Sequence, residues 1–274
     1  MHTIKFTVLM CVYFKERSKN LSEALNSISG QTLLPNQIII VKDGPLTEEL
    51  EDSISNFIRN NEHLNVKVYS LKKNLGLGLA LNFGLQKCSF DWVARMDSDD
   101  ICKPERFELL VRQIHLSEGV SVIGTYIDEF VGSASNITQT RKVKLKHEEI
   151  ANDLKLRNPM NHVSVIFSKN DVLKVGGYPD NLFFEDYYLW TKLIIQGKKF
   201  MNLSESTVLV RTGSDMIGRR HGVFYAKQEL NIQKYLYEKN IINSWLFLRN
   251  FFLRVLIRVF PKFILNIAYK ISRI

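Results

Sequence analysis

Cysteine is scarce in this chain: Cys11, Cys88 and Cys102 are odd in number and have no CxxC spacing. That excludes a disulfide framework and a cysteine-ligated zinc site, and it suits a reducing compartment. The opening stretch MHTIKFTVLM has neither the length nor the small-residue cleavage site of a signal peptide, so a cytoplasmic protein is expected. Long apolar runs are lacking at the C-terminal end, where the longest uncharged stretch, 240–248, is nine residues. A bilayer span needs about 20. Internal repeats, low-complexity tracts and Pro/Gly-rich linkers are also missing. Acidic residues are absent from 240–274 altogether.

This last absence organises the charge. The net charge is +9 over 274 residues. Residues 1–210 balance 25 Lys/Arg against 25 Asp/Glu, whereas 211–274 carry 12 against 3. A neutral body with a basic tail points to an anionic partner for the tail. Arg249, Arg254, Arg258 and Lys262 recur at helical spacing as one cationic stripe. Trp245, Phe247, Phe251, Phe252, Leu256 and Phe260 are left for the remaining surface. The pattern predicts an interfacial helix pair hinged near Pro261, docked on an anionic membrane surface through residues 240–274. Nucleic acid is not expected, because these aromatics lie among aliphatics and form no stacking platform.

What is present in residues 1–215 is an alternation of strands and helices. FTVLMCVYF and QIIIVKDG read as strands buried on both faces, VKVYSL as a short strand and FDWVARMD as a fourth. SKNLSEALNSISG, the stretch 47–60 and NLGLGLALNFGLQKC supply the intervening helices. This order predicts an α/β, mostly parallel, doubly wound Rossmann-like sheet, whose ligands bind beyond the carboxyl ends of the strands. Further on, PERFELLVRQIHL predicts a helix, and VSVIGTYIDEFV with TRKVKLK an antiparallel hairpin. NHVSVIFSKNDVLKVGGYPD reads as a strand, a short helix and a Gly-Gly turn. EDYYLWTKLIIQG reads as a helix, STVLVR as a late strand and 221–238 as a helix.

ARMDSDD places Asp97, Asp99 and Asp100 at the end of a buried strand. In isolation such acids read as a solvated, helix-capping loop. Behind an apolar strand they are crowded and partly desolvated, which is costly unless a cation neutralises them. Mg²⁺ or Mn²⁺ binds through one or two carboxylates plus substrate phosphates, so the pattern fits a metal–diphosphate site. FFEDYYLW gives a second pair, Glu185 and Asp186. These either complement a helix N-terminus or serve acid–base chemistry. GLGLALNFG is no dinucleotide fingerprint, because position 81 is Leu81 and the stretch follows the third strand rather than the first.

Together, CVYFKE, QIIIVKDGP, NLGLGLALNFGL, ARMDSDDICKPERF and FFEDYYLW resemble, in order and spacing over roughly residues 5–215, the inverting family 2 glycosyltransferases of GT-A fold. The narrower resemblance is to bacterial O-antigen and amylovoran-type exopolysaccharide enzymes. It implies a catalytic domain over 1–215, with a nucleotide-sugar half (1–100) and an acceptor half (101–215), followed by a membrane-associating tail (216–274). It implies that Asp43 accepts from the uracil ring, and that the backbone near Val12 and the side chain of Glu16 frame the nucleoside. Asn74, Gly76, Asn82 and Arg95 lie beside the nucleotide, Asp97 faces ribose and metal, and Asp99 is the principal ligand of Mn²⁺ or Mg²⁺. Asp186 is the implied general base, with Glu185 positioning the acceptor. Arg219 and Arg220, in a Gly-rich stretch, suit a lid over phosphates, and His162 and Trp190 are weaker acceptor contacts. The implied reaction moves a hexose, galactose or glucose favoured, from a UDP-sugar to a sugar on undecaprenyl diphosphate, at the inner face of the cytoplasmic membrane.

Other readings are a sugar-nucleotide nucleotidyltransferase and a non-catalytic nucleotide-binding scaffold at the membrane surface. CVYFKERSKN lacks the glycine-rich loop of the former. A processive synthase would need several membrane spans and a Q-x-x-R-W motif, both missing here.

Overall fold

The computed structural model describes residues 4–180, 183–213 and 221–259. Four strands open the fold: β1 (Phe6–Val12), β2 (Gln37–Lys42), β3 (Val66–Ser70) and β4 (Trp92–Asp97). They pair in parallel in the order β3-β2-β1-β4. The helices α1 (Ser18–Ser29), α2 (Glu48–Asn60) and α3 (Leu77–Lys87) connect them. Alternate side chains of the strands feed two separate cores. Val8, Met10, Ile38 and Ile40 pack with Leu21, Leu25 and Ile28 of α1 on one face. Leu9, Ile39 and Val41 pack with Leu81 and Leu85 of α3 on the other. A strand buried on both faces has no polar side to show, which is why these sequences are almost wholly apolar.

The second half extends the sheet with mixed pairing. After β5 (Ile101–Cys102) and α4 (Arg106–Leu116) comes the long β6 (Val120–Phe130), paired with β7 (Ile137–Arg141) as an antiparallel hairpin. The hairpin's second strand is therefore ITQTR, earlier than expected, and only Thr140 and Arg141 of TRKVKLK belong to it. Then follow α5 (His147–Leu154), β8 (Ile166–Ser168), α6 (Lys169–Lys174), α7 (Glu185–Ile195) and β9 (Lys199–Arg211). β8 inserts antiparallel between β4 and β6. β9 runs parallel to β6 and meets β5 antiparallel. The longest ladders are parallel, so the sheet is mostly parallel as expected. The register sets Cys11 opposite Asp97 and Val12 opposite Lys42. The ends of β1, β2 and β4 thus share one edge, and β9 brings Arg211 to it.

The boundary expected at 215/216 lies in 214–220, outside the described residues. Beyond it, α8 (Val223–Glu238) and α9 (Ser244–Asn250) pack on the α7 side of the sheet, with Ile232, Leu236 and Ile242 inside that core. α9 runs on through a π-helical turn, Phe251–Val255, and a 3₁₀ turn, Leu256–Arg258. Here the sequence expectation needs correcting. Arg254 and Arg258 do not form an outward cationic stripe. Both turn inward onto Glu229, at 2.7 and 3.2 Å. Glu229 is fully buried, and an ionised carboxylate in that position requires paired cations. The outward face is apolar instead, with Trp245, Leu248, Phe252, Leu253 and Val259 exposed. Lys262, Phe260 and the expected hinge at Pro261 lie outside the described residues. Among the described residues no helix is long and apolar enough to cross a membrane.

Candidate active site

The shared strand edge gathers the acids. Asp97, Asp99 and Asp100 each offer an oxygen within 4.8 Å of the others. Arg95 forms an ion pair with Asp97, and its side chain is buried. Asp100 is buried and accepts the Arg211 N–H at 2.8 Å, while Arg211 Nε donates to the Asp99 carbonyl at 3.1 Å. Arg211 Nη2 also reaches Glu23 at 2.5 Å. The end of β9 thus fastens the acidic turn from behind. Burial, then the charges of Asp97 and Glu16, pushes the Asp99 carboxyl up to about 7. Asp100 is raised for the same first cause, followed by Asp97 and Asp99. Three hard oxygen donors held this close, with their charge only partly offset, fit Mg²⁺ or Mn²⁺. Asp100 joins the expected Asp97 and Asp99 in that cluster.

The expected nucleoside residues surround this edge. Asp43 is buried at the end of β2, and its two carboxylate oxygens accept the backbone N–H groups of Leu75 (2.7 Å) and Gly76 (3.0 Å). Asn74 Nδ2 donates to the Asp43 carbonyl at 3.2 Å. Gly44 has a φ of +89°, and a Cβ there would lie 2.7 Å from the Asn74 nitrogen, so only glycine lets the two loops meet. The Val12 side chain is in the core and its carbonyl accepts from Asp43 N. Glu16 accepts from Ser98 Oγ at 3.2 Å, beside the acids.

The expected contact of Trp190 is corrected, and Asn82 and His162 are found engaged with Tyr178. Asn82 spends its amide on the backbone of Tyr178, donating at 2.7 Å and accepting at 2.9 Å. It holds the Gly176–Gly177 turn rather than facing a nucleotide. Trp190 is completely buried against Phe200 and His162, so it cannot touch an acceptor. His162 bonds the Tyr178 hydroxyl at 2.9 Å. Burial and the charge of Arg95 push its imidazole well below its ordinary value, which makes it a neutral packing partner of Tyr178. Arg219 and Arg220 lie outside the described residues.

Glu185 and Asp186 open α7. The two residues before them, Phe183 and Phe184, are left-handed with φ of +68° and +61°. Bulky residues pay for that conformation; here Tyr225 of α8 packs on both rings. Burial, then the neighbouring Asp186, pushes the Glu185 carboxyl up to about 7. Asp186 is raised by burial, against a 2.5 Å hydrogen bond from Asn158 Nδ2 and the Tyr187 N–H. Two cavities adjoin these residues, one at Glu185 and one at Asn158. Glu185 lines one of about 270 Å³ with Gly76, Leu77 and Pro179. Asn158, bonded to Asp186, lines another of about 590 Å³.

A cluster of oxygen donors at the strand ends and a desolvated carboxylate pair with a cavity at Glu185 suit group-transfer chemistry. The profile of the family "Glycosyl transferase family 2" matches residues 7–176. The chain belongs to glycosyl transferase family 2. An Escherichia coli member named "UDP-Gal:alpha-D-GlcNAc-diphosphoundecaprenol beta-1,3-galactosyltransferase" is 37% identical over 268 residues, covering 98% of this chain and 96% of its own. "Amylovoran biosynthesis glycosyltransferase AmsE" of Erwinia amylovora is 34% identical over 271 residues, 98% and 99% of the two chains. In three dimensions, S. aureus TarS 1–349, solved with UDP-GlcNAc, superposes with a TM-score of 0.67 at 18% identity, over 93% of this chain and 72% of that one. The expected family and fold class, a GT-A-like α/β domain, hold.

Arg211, Asn158 and Tyr178 were not anticipated from the sequence. Each acts across a wide gap in the chain, 111 residues between Asp100 and Arg211 and 28 between Asn158 and Asp186. Local pattern carries no trace of such pairs. The one available signal was the arginine ending STVLVR, since a charge closing a buried strand has to be matched at the sheet edge.

Proposed function

We propose that this glycosyltransferase transfers a hexose, galactose favoured, from a UDP-sugar to a sugar on a lipid diphosphate such as GlcNAc-diphosphoundecaprenol, with inversion and with help from Mn²⁺ or Mg²⁺. The observation that carries the reading is a hard-donor acid cluster whose Asp97, with Arg95, acts electrostatically on the desolvated Glu185, where a cavity opens. The substrate assignment leans on the full-length likeness to the E. coli galactosyltransferase.

Asp99 and Asp97, with Asp100 behind them, would hold the metal, which when bound offsets charge on the departing diphosphate. Asp43 retains acceptor capacity beyond its two backbone bonds and would take the uracil N–H. Glu16, Asn74 and Gly76 would bound the nucleoside. Buried Arg95 would orient Asp97 through their ion pair. Asp186 would accept the proton of the attacking hydroxyl, its oxygen aimed by Asn158, while Glu185 positions the sugar. A single displacement needs no second catalytic acid when the leaving group is already stabilised. Contact with the membrane surface, at the cytoplasmic face, would use the apolar side of α9 more than its arginines. The basic residues of 260–274, a stretch without an acid in its sequence, would add electrostatic attraction.

Incubation with synthetic GlcNAc-diphosphate-lipid, Mn²⁺ and a panel of radiolabelled sugar nucleotides tests this. Transfer from one UDP-sugar, abolished by EDTA, is expected. Transfer that persists in EDTA would refute the metal role, and a GDP- or CMP-sugar as sole donor would refute the nucleotide.

A further inference from the structure

The larger cavity is basic, and the chemistry above gives its cations no role. Its wall holds Arg141, Lys142, Lys144 and Arg157 against a single acid, Glu149. After β7 the chain stays extended, so Val143 is buried while Lys142 and Lys144 are exposed. Buried Asn202 on β9 fixes this segment, donating from its backbone to the Leu145 carbonyl (3.0 Å) and from Nδ2 to the Lys144 carbonyl (2.7 Å). The cations are therefore presented from an anchored scaffold. Arg141 Nη2 donates to the Asn158 carbonyl at 3.3 Å, and Asn158 donates to Asp186. Arg141 also favours the ionised form of Asp186. Two hydrogen bonds therefore connect the basic wall to the carboxylate pair. The other cavity carries Asp180 and Glu185 and no cation.

Arg157 is already paired with Asp153 through Nε at 3.0 Å, so Arg141, Lys142 and Lys144 against Glu149 leave an excess of two positive side chains. That excess suits a dianionic ligand, and guanidinium and ammonium groups together match diphosphate oxygens. The surroundings favour an ester with an apolar chain over free pyrophosphate. The stretch that carries Arg157 and Asn158 into the wall begins at Lys155 and Leu156. Their carbonyls accept from Asn250 Nδ2 (2.9 Å) and Arg254 Nη1 (2.7 Å). The C-terminal helices are pinned to the rim of the cavity, and their exposed surface is Trp245, Leu248, Phe252 and Leu253.

We propose that the diphosphate of the lipid-linked acceptor binds in this cavity, held by Lys142, Lys144, Arg141 and Arg157. Its sugar hydroxyl points to Asp186 and its hydrocarbon chain leaves along the apolar face of α9. The assignment rests on the reading of a lipid-diphosphate acceptor. It makes Lys142 and Lys144 determinants of acceptor affinity with no part in donor binding.

Calorimetric titration of octyl diphosphate into the full chain in EDTA tests it, with and without excess UDP. The expected result is saturable binding that excess UDP does not displace. Lys142→Ala/Lys144→Ala should weaken it at least tenfold and Asp99→Ala should leave it unchanged. Inorganic pyrophosphate should bind more weakly than the octyl ester. Because both lysines are exposed, the double variant should keep the wild-type thermal transition. Displacement by UDP, or full binding in the double variant, would overturn the assignment, and equal affinity for pyrophosphate would overturn its lipid part. In transfer assays the double variant should raise KM for the lipid acceptor about tenfold and leave KM for the UDP-sugar unchanged. Absence of transfer in the wild type with octyl diphosphate binding intact would count against the proposed function and spare the cavity. Transfer that proceeds without the lysine-dependent binding would do the reverse.

Discussion

At Asp186 the competing effects can be ranked. Burial raises its carboxyl, and the hydrogen bonds from Asn158 and Tyr187 only partly offset this. A base must be ionised to take a proton, so the raised values of the pair set an acidic limb. Because burial raises Asp186, the acidic limb of kcat should lie above the ordinary carboxylate range, and a pH–rate profile checks this. Asp186→Asn should lower kcat by about 10²–10⁴, the usual contribution of general acid–base catalysis, with UDP affinity retained. Asn158→Ala removes a donor to the ionised form, so the acidic limb should move to higher pH. An unmoved limb would mean that Asn158 serves only packing.

Among the elements, α8 and α9 hold the fold together as well as facing outward. Glu229 has no exposure and two arginine partners. Removing one member of a buried ion pair strands the rest, at a cost of about 3–5 kcal/mol. Glu229→Ala should lower stability by that order in urea unfolding, whereas Lys234→Ala, a surface change, should not. The apolar face carries the other prediction. Trp245→Ala/Phe252→Ala should weaken binding to anionic vesicles at least tenfold in flotation and leave unfolding nearly unchanged. Equal binding would move membrane contact elsewhere, to residues 260–274 first. The tail also shows where sequence reading misled. Helical spacing placed Arg254 and Arg258 on one stripe correctly, but not which way the stripe faced. That depended on Glu229, 25 and 29 residues away.

Over the whole molecule, what was legible followed from local physics. Strands apolar on both faces signalled a sheet covered by helices on both sides, and two cores of alternating residues resulted. The parallel order then put Asp43 and Asp97 at one edge, because parallel strands end together. What was not legible depended on the second half of the sheet. The mixed pairing of β8, β6 and β9 brings Arg211 behind Asp99 and Asp100, and Trp190 is buried against Phe200 of β9. The central claim is that this edge gathers carboxylates in order to hold a metal, and through it a nucleoside diphosphate. Calorimetric titration of UDP with and without Mn²⁺, in the wild type and in Asp99→Ala, tests it most directly. The account predicts that UDP binding tightens at least a hundredfold with Mn²⁺ and that Asp99→Ala loses the gain. UDP binding of equal strength in EDTA, or a gain that survives Asp99→Ala, would contradict it.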